Sequence, residues 1–539
     1  MKIRAILFLL MSFLLMQSGS LIAQQDYRNS NEINSALRAL VSQNSANASL
    51  KSLTKTEGGK DIWVLTLSND SPESNPAMAI VGGADGRHIL GVELTIRIAE
   101  DLLTNRIDLL NKTTFYIFPN MSPDATAQYF AALKYERQGN AVNTDDDRDG
   151  VFGEDGFEDL NGDNLITMMR IEDPTGKYKM LEDDNRIMVK ANANKGEVGS
   201  YKVLTEGLDN DKDGKFNEDG VGGVAFNKNM SYKYPYFSSG SGEHPVSEKE
   251  NRALLDFLYE QWNIYSIFTF SHANNLSAPL KYNESGAKKR VVTSILKKDE
   301  SLNKYLSERY NDITKSKDAP SSLAKGGNFF DWSYFHFGKL ALGTPGWWAP
   351  KPEVDSLVKA SKNNKVNFLR WSEQKGMNDV FVDWKQIQHP DFPGKKVEVG
   401  GIVPFKMTNP PFHMVDSIAK SHADFITEIA KNQPNIQLEN IQQEDLGSGI
   451  TRITVDVHNT GLIPTHTEMG DRSRWLRQIN VDIKVGSNQE IISGRKHQLI
   501  NMISADSSVQ LTWLIKGKGS INLKAGAPHT GTANTSINL

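Results

Sequence analysis

The residues in this chain best suited to chemistry are carboxylates that recur at fixed spacing. Asp145, Asp147 and Asp149 stand at alternate positions before Gly150, and Glu154, Asp155 and Gly156 follow. The pattern returns as Asp209, Asp211, Asp213, Gly214, Glu218, Asp219 and Gly220, each residue 64 positions further on. Between the copies lies a shorter run of Asp159, Asn161 and Asp163 around Gly162. Alternate carboxylates ahead of a glycine turn gather hard oxygens around one point. That suits Ca2+, which takes about six to eight oxygen ligands, and not a tetrahedral metal. Neither long copy has glutamate at the last position of an EF-hand loop, so these are not EF-hands. The competing reading is a solvated acidic loop without an ion. Repetition of the same spacing favours structural calcium.

The elements around these runs alternate. Residues 61–68, 78–81, 114–118 and 267–270 have strand character, and residues 25–43, 90–103, 247–261 and 415–431 carry apolar positions at helical spacing. Strand–helix alternation predicts an α/β domain, a mixed sheet with helices on both faces, over residues 24–432. The acidic segment 143–223 is an insert within it. Asn432–Gln433–Pro434–Asn435 reads as a linker. Beyond it, short period-2 runs separated by Gly, Asn and Asp predict a C-terminal all-β sandwich over residues 436–539. Its Val457–Thr465 stretch resembles one seen in immunoglobulin-like appendages of secreted proteins.

Length and composition bound the function. The 539 residues, 38% hydrophobic and 23% charged, suffice for two to four domains with real cores. Lys+Arg 61 against Asp+Glu 65 gives a net charge of −4, which argues against a nucleic acid as the main partner. With no cysteine, a disulfide scaffold, a Cys-ligated zinc, an iron–sulfur centre and a thiol nucleophile are all excluded. A basic start at Lys2 and Arg4, an apolar run to Met16 and a small-residue stretch to Ala23 predict a signal peptide, residues 1–23. A membrane anchor is the alternative, but the run is short and no second hydrophobic span follows. The expected location is secreted, periplasmic or cell-surface, in a bacterium, with no transmembrane segment after signal removal.

A family resemblance lies in ordered motifs. After the strand 78–81 comes Gly82-Gly83-Ala84-Asp85-Gly86-Arg87-His88, leading into a helix. Pro119–Asp124, Gly223–Asn229, Glu243–Glu248, Phe270-Ser271-His272 and Gly343-Thr344-Pro345-Gly346 follow in order. Together they resemble the zinc carboxypeptidase family, the carboxypeptidase A-like metallopeptidases, from about Tyr27 to Ala430. The acidic insert is similar to one in secreted bacterial members. The resemblance implies a zinc site, hydrolysis of a C-terminal peptide bond by metal-activated water, and a peptide or cell-wall peptide as substrate.

Residue by residue, the resemblance carries departures. The family's first zinc ligand, a histidine, is Asp85 here, and its second, a glutamate, is His88. The third, His272, is kept. Two imidazoles and a carboxylate remain a hydrolytic zinc set in composition. The alternative is an Asp85–His88 hydrogen bond or ion pair without metal. The general-base glutamate falls at Gly346, which has no side chain; Glu398, Asp331 or His336 are the candidate substitutes. The Asn–Arg clamp on the substrate carboxylate becomes Asn227–Lys228, which keeps the charge and loses the bidentate fork. Arg137 is the candidate oxyanion arginine. Trp347–Trp348 and Phe329–Phe330 either wall a cleft or pack the core. Three functions stay open. The chain is a zinc metallocarboxypeptidase, a catalytically impaired relative that binds peptide, glycan or a protein partner, or an amide-cleaving enzyme with a non-peptide substrate.

Overall fold

The computed structural model describes residues 26–539 apart from 147, 148, 218, 221, 321, 323 and 355–357. The segment 1–23 assigned as a signal peptide, and Asp147 and Glu218 of the acidic repeats, lie outside the described residues.

A six-stranded mixed sheet organises the first unit. Its strand order is Ala48–Lys55, Asp61–Leu67, Thr114–Phe118, Ala77–Val81, Ile264–Phe270, Leu340–Thr344. The first two junctions are antiparallel and the other three parallel. The last four strands in that order are buried at every position. Helices cover both faces, so those strands read as continuous apolar runs and not as alternating ones. On one face, helices Ser30–Gln43, Ile89–Asn105, Lys297–Thr314 and Val415–Lys431 pack through Leu37, Leu94, Tyr310 and Phe425. On the other, Lys249–Glu260 and Phe329–Phe335 pack through Leu254, Leu258 and Trp332. Ser30–Gln43 starts at a capping box: Asn29 accepts from the Asn31 and Glu32 amides, and the Glu32 carboxylate accepts from the Asn29 amide. The α/β fold with helices on both faces is as the strand–helix alternation predicts.

The insert is not self-contained. Its strands Met168–Glu172, Tyr178–Leu181, Asp184–Lys190 and Tyr201–Thr205 join Phe381–Ile387 and Val397–Ile402 in a second, antiparallel six-stranded sheet. The seam runs between Val397–Ile402 and Met168–Glu172, with Glu398 opposite Arg170. This partnership across the chain has no local sequence signal.

The two acidic repeats fold against each other. Asp155 and Asp219 form an isolated antiparallel bridge. The Asp155 carboxylate accepts from the backbone amides of Asn210 (3.0 Å) and Asn217 in the other copy. The Asp219 carboxylate accepts from Asp146 (3.0 Å) and Gly153 (3.1 Å) in the first. The exchange is reciprocal and keeps the 64-residue offset read from the sequence. Both aspartates are essentially fully buried.

From Ile436 the chain is all-β. Two four-stranded antiparallel sheets pack through Val455, Trp513, Val481 and Leu523 into a β-sandwich. This unit docks on the first through Asp299, which accepts from the Glu468 and Met469 amides at 2.7 and 3.2 Å, and through Thr467, whose hydroxyl donates to the Gly338 carbonyl at 2.8 Å.

Candidate active site

The candidate site sits where parallel strands end. Asp85 lies in the loop after Ala77–Val81, and His88 at the start of the helix Ile89–Asn105. His272 lies just beyond Ile264–Phe270, and Pro345–Gly346 just beyond Leu340–Thr344. Parallel pairing of these strands brings their C-terminal ends together, which is where α/β sheets place ligands.

Asp85 and His272 meet directly. The Asp85 Oδ2 accepts from both the His272 backbone amide and Nδ1, each at 2.8 Å. Its Oδ1 accepts from Asn227 Nδ2 at 2.9 Å. Asn227 is held in turn by the Phe329 amide, which donates to its Oδ1 at 3.0 Å. Burial pushes the Asp85 carboxyl up, but the His272 imidazole and the hydrogen bonds from His272 and Asn227 outweigh it and hold the carboxyl well below its usual range. Asp85 is therefore ionised and Nδ1 of His272 carries the proton.

His88 points elsewhere. Its Nε2 lies 2.9 Å from the Pro345 carbonyl, to which it donates. Its Nδ1 is buried without a hydrogen-bond partner. Gly91 makes room for the ring: a Cβ at that position would come within 2.8 Å of Nδ1. Burial, then the neighbouring His272, pushes the His88 pKa down to about 4, so the ring is neutral. The His88 and His272 ring centroids are 5.5 Å apart.

These residues do not fit a zinc ion. Both Asp85 oxygens and the His272 Nδ1 are committed to one another and to Asn227, and His88 turns one nitrogen to a carbonyl and the other into the core. Among the described residues, the one group whose three ligand atoms come within 4.8 Å of one another is Asp209, Asp211 and Asp213. The set Asp85, His88 and His272 expected from the resemblance does not bring three ligand atoms within that distance of one another here. Its residue types suit zinc; its geometry makes a hydrogen-bonded pair of Asp85 with His272, and a separate structural histidine. The expected Asp85–His88 pair is not formed either.

The other expected site residues are also engaged elsewhere. Gly346 adopts φ +72°, and a Cβ there would press on the Leu94 methyl at 2.8 Å, so the position faces the core and favours glycine. Glu398 pairs with Arg170 at 2.8 Å and Lys396 at 3.2 Å in the second sheet. Arg137 donates to the Gly139 carbonyl at 3.0 Å and to that of Asn140. Lys228 reaches the Ser239 carbonyl at 2.9 Å. Asp331 accepts from Asn328, and His336 meets the Ser231 hydroxyl at 3.0 Å. Phe329 and Phe330 are core.

A cavity of about 790 Å³ opens beside the strand ends. His272 lines it; Asp85, His88, Arg137, Asn227, Lys228 and Glu398 do not. Trp347 and Trp348 line it, as do Tyr178, Trp384 and Phe381 of the second sheet. Sequence reading gave Trp347 and Trp348 as possible cleft residues and missed the contribution of 381–402, whose placement depends on the long-range seam.

The profile of zinc carboxypeptidases matches residues 33–343, more than half of the chain. The chain belongs to the zinc carboxypeptidase family. Residues 435–538 match a separate domain of unknown function (DUF8731). Among solved structures, the chain is similar to thrombin activatable fibrinolysis inhibitor at 12% identity, covering 76% of this chain and 78% of that one with a TM-score of 0.44. The bovine form of that protein, bound to tick carboxypeptidase inhibitor, aligns at 13% identity over 76% and 97% of the two chains, TM-score 0.38. Carboxypeptidase A from Helicoverpa armigera aligns at 13% identity over 67% and 76%, TM-score 0.37. No curated protein matches the sequence.

Proposed function

We propose that this member of the zinc carboxypeptidase family is a binding protein that has lost peptide hydrolysis. The observation that carries this reading is the Asp85–His272 pair, closed by Asn227, at the place where the family holds its metal. A hydrolytic zinc lowers the pKa of its bound water and needs an open coordination position; neither can be supplied by ligand atoms that already satisfy one another. The absent general base compounds the loss, since a positioned acid/base contributes about 10²–10⁴ in rate. The rival reading, an active zinc metallocarboxypeptidase on a peptide or cell-wall peptide, is favoured by family membership alone. The test is elemental analysis of purified, zinc-incubated and dialysed protein, together with release of C-terminal amino acids from a peptide mixture. The expected outcome is background zinc and no release. Stoichiometric zinc with release that disappears in His272→Ala overturns the proposal.

The location outside the cytoplasm and the structural calcium belong to the same reading. Calcium is supported at the second acidic repeat, where oxygens of Asp209, Asp211 and Asp213 converge and the Asp209 Oδ1 is buried without a partner. In the first repeat both Glu154 oxygens are shielded and lie close to the Asp219 carboxylate. The middle run differs. Asp159 already accepts from the Gly162, Asp163 and Asn164 amides at 2.7, 3.2 and 2.7 Å, and Asn161 donates to Asp163 at 3.0 Å. The main load therefore falls on the two long repeats. At free calcium a hundredfold above the dissociation constant, binding adds about 2.7 kcal/mol to stability. Chelation with EGTA is expected to lower the melting midpoint by several degrees, and superimposable curves with and without EGTA would exclude the ion.

A further inference from the structure

We infer that the cavity beside His272 is a binding site for a neutral oligosaccharide. The inference deepens the non-hydrolytic reading above and rests on it. Its volume, about 790 Å³, lies within the range of small-ligand sites.

The means to hold a peptide C-terminus are missing. Asn227 is spent on Asp85 and Lys228 on the Ser239 carbonyl, and neither lines the cavity. The cations that do line it are mostly neutralised. Arg87 pairs with Glu136 at 3.1 Å, Lys351 with Asp318 at 2.6 Å, and Arg186 with Asp184 and Glu373, both at 2.7 Å. Lys365 is the one cation of the lining without a carboxylate within 4.0 Å among the described residues. One such charge on an exposed residue does not make an anion trap.

What the cavity does offer is fixed aromatic faces. The Trp348 Nε1 donates to the Lys317 carbonyl at 2.8 Å, and the Trp384 Nε1 to the Arg186 carbonyl at 3.0 Å. Both indoles are thereby locked, with their polar edges already satisfied. The Arg170 guanidinium lies 4.5 Å over the Trp384 ring and covers one face of it. A rigid ring with its N–H occupied can offer a ligand only its apolar face. The same lining holds the paired Arg87–Glu136 and Lys351–Asp318 side chains, whose spare lone pairs and N–H groups serve donors and acceptors alike. His272 adds a further polar group: its Nδ1 is committed to Asp85 and its ring lines the cavity. A ligand with flat apolar faces and a fringe of hydroxyls, uncharged overall, matches that mixed lining. A pyranose chain has those properties.

The test is an array of immobilised short oligosaccharides, neutral and acidic, probed with the labelled full chain. Calorimetry with the neutral oligosaccharide that binds best follows. Binding to a neutral oligosaccharide is expected, with little change between low and high salt. Trp384→Ala and Trp348→Ala are each expected to weaken it about tenfold or more while the melting curve stays in place. Lys365→Ala is expected to leave the affinity unchanged. No signal on any neutral oligosaccharide overturns the inference. So does binding confined to acidic glycans with steep salt dependence, or to an extended peptide laid along the edge strand Phe381–Ile387. Zinc content and peptide release, measured on the same preparation, separate the two failures. A metal-loaded, hydrolysing protein sinks the underlying function, whereas an inert, metal-free protein without glycan binding sinks only the ligand class.

Discussion

Replacing Asp85 with alanine is expected to lower the stability of the α/β unit by about 3 kcal/mol and to leave zinc content at background. Asp85 accepts three hydrogen bonds, from the His272 amide, the His272 ring and the Asn227 side chain. The donors sit on two supports: the end of the strand Ile264–Phe270 for the first two, and the short helical turn Phe226–Lys228 for the third. Without the carboxylate, three donors lose their acceptor and the His272 ring loses its orientation. Asp85→Asn keeps an acceptor for one side and presents a donor to the other, so an intermediate loss is expected. The measurement is the midpoint of urea unfolding, with zinc read in parallel. If Asp85 were instead a metal ligand, alanine would strip zinc from a protein that otherwise holds it. A variant as stable as the parent, or one that drops a stoichiometric metal, removes the basis for the proposed function.

A second large effect is expected from acid. His422 is buried in the helix Val415–Lys431, between the Ile418 carbonyl at 2.7 Å and the Tyr310 hydroxyl at 2.9 Å. Burial lowers its pKa from 6.5 to about 4. His529, in the turn by which the C-terminal sandwich meets the first unit, has both ring nitrogens buried without partners. Burial, then the adjacent Lys339 cation, holds its pKa well below the ordinary value. In both cases the unfolded chain takes up a proton that the native protein refuses. Stability is therefore fully present above about pH 6.5 and is lost as pH falls toward 4. For His422 alone the loss across that window is about 3 kcal/mol. His422→Phe is expected to remove that share of the acid-sensitive limb, as seen in unfolding midpoints taken at a series of pH values. An acid limb identical in the parent and the variant would show that His422 titrates normally.

Much of the architecture was legible in the residues because helix and strand periods are local. Thr114–Phe118 and Val415–Lys431 fall where apolar patterning puts them, and the change from mixed to pure β character at Ile436 marks the start of the sandwich. Leu340–Thr344 escaped because its residues, Leu-Ala-Leu-Gly-Thr, hold a glycine and no β-branched or aromatic residue before the last position, so the run lacks strand character of its own. The pairing of 397–402 with 168–172 escaped because more than two hundred residues separate the partners. At the site, residue types were readable and directions were not. Asp85, His88 and His272 look like a ligand set by composition, yet the space left by Gly91 and the carbonyl of Pro345 turn His88 away. The same limit applies to Gly346, where a missing side chain was evident but not that the position faces Leu94.

The interlocked aspartates of the acidic repeats make the two stretches one indivisible clasp. Asp155 serves the backbone of the second copy and Asp219 that of the first, so an alteration in either is felt across the bridge before it is felt at home. Neither half can be trimmed, duplicated or transplanted singly. The chain also leaves for the insert's part of the cavity wall, and returns from it, past this bridge. The stem of that wall is thus a double strap buckled at Asp155 and Asp219, and the seam between Val397–Ile402 and Met168–Glu172 is a second fastening for the part that carries Tyr178 and Arg186.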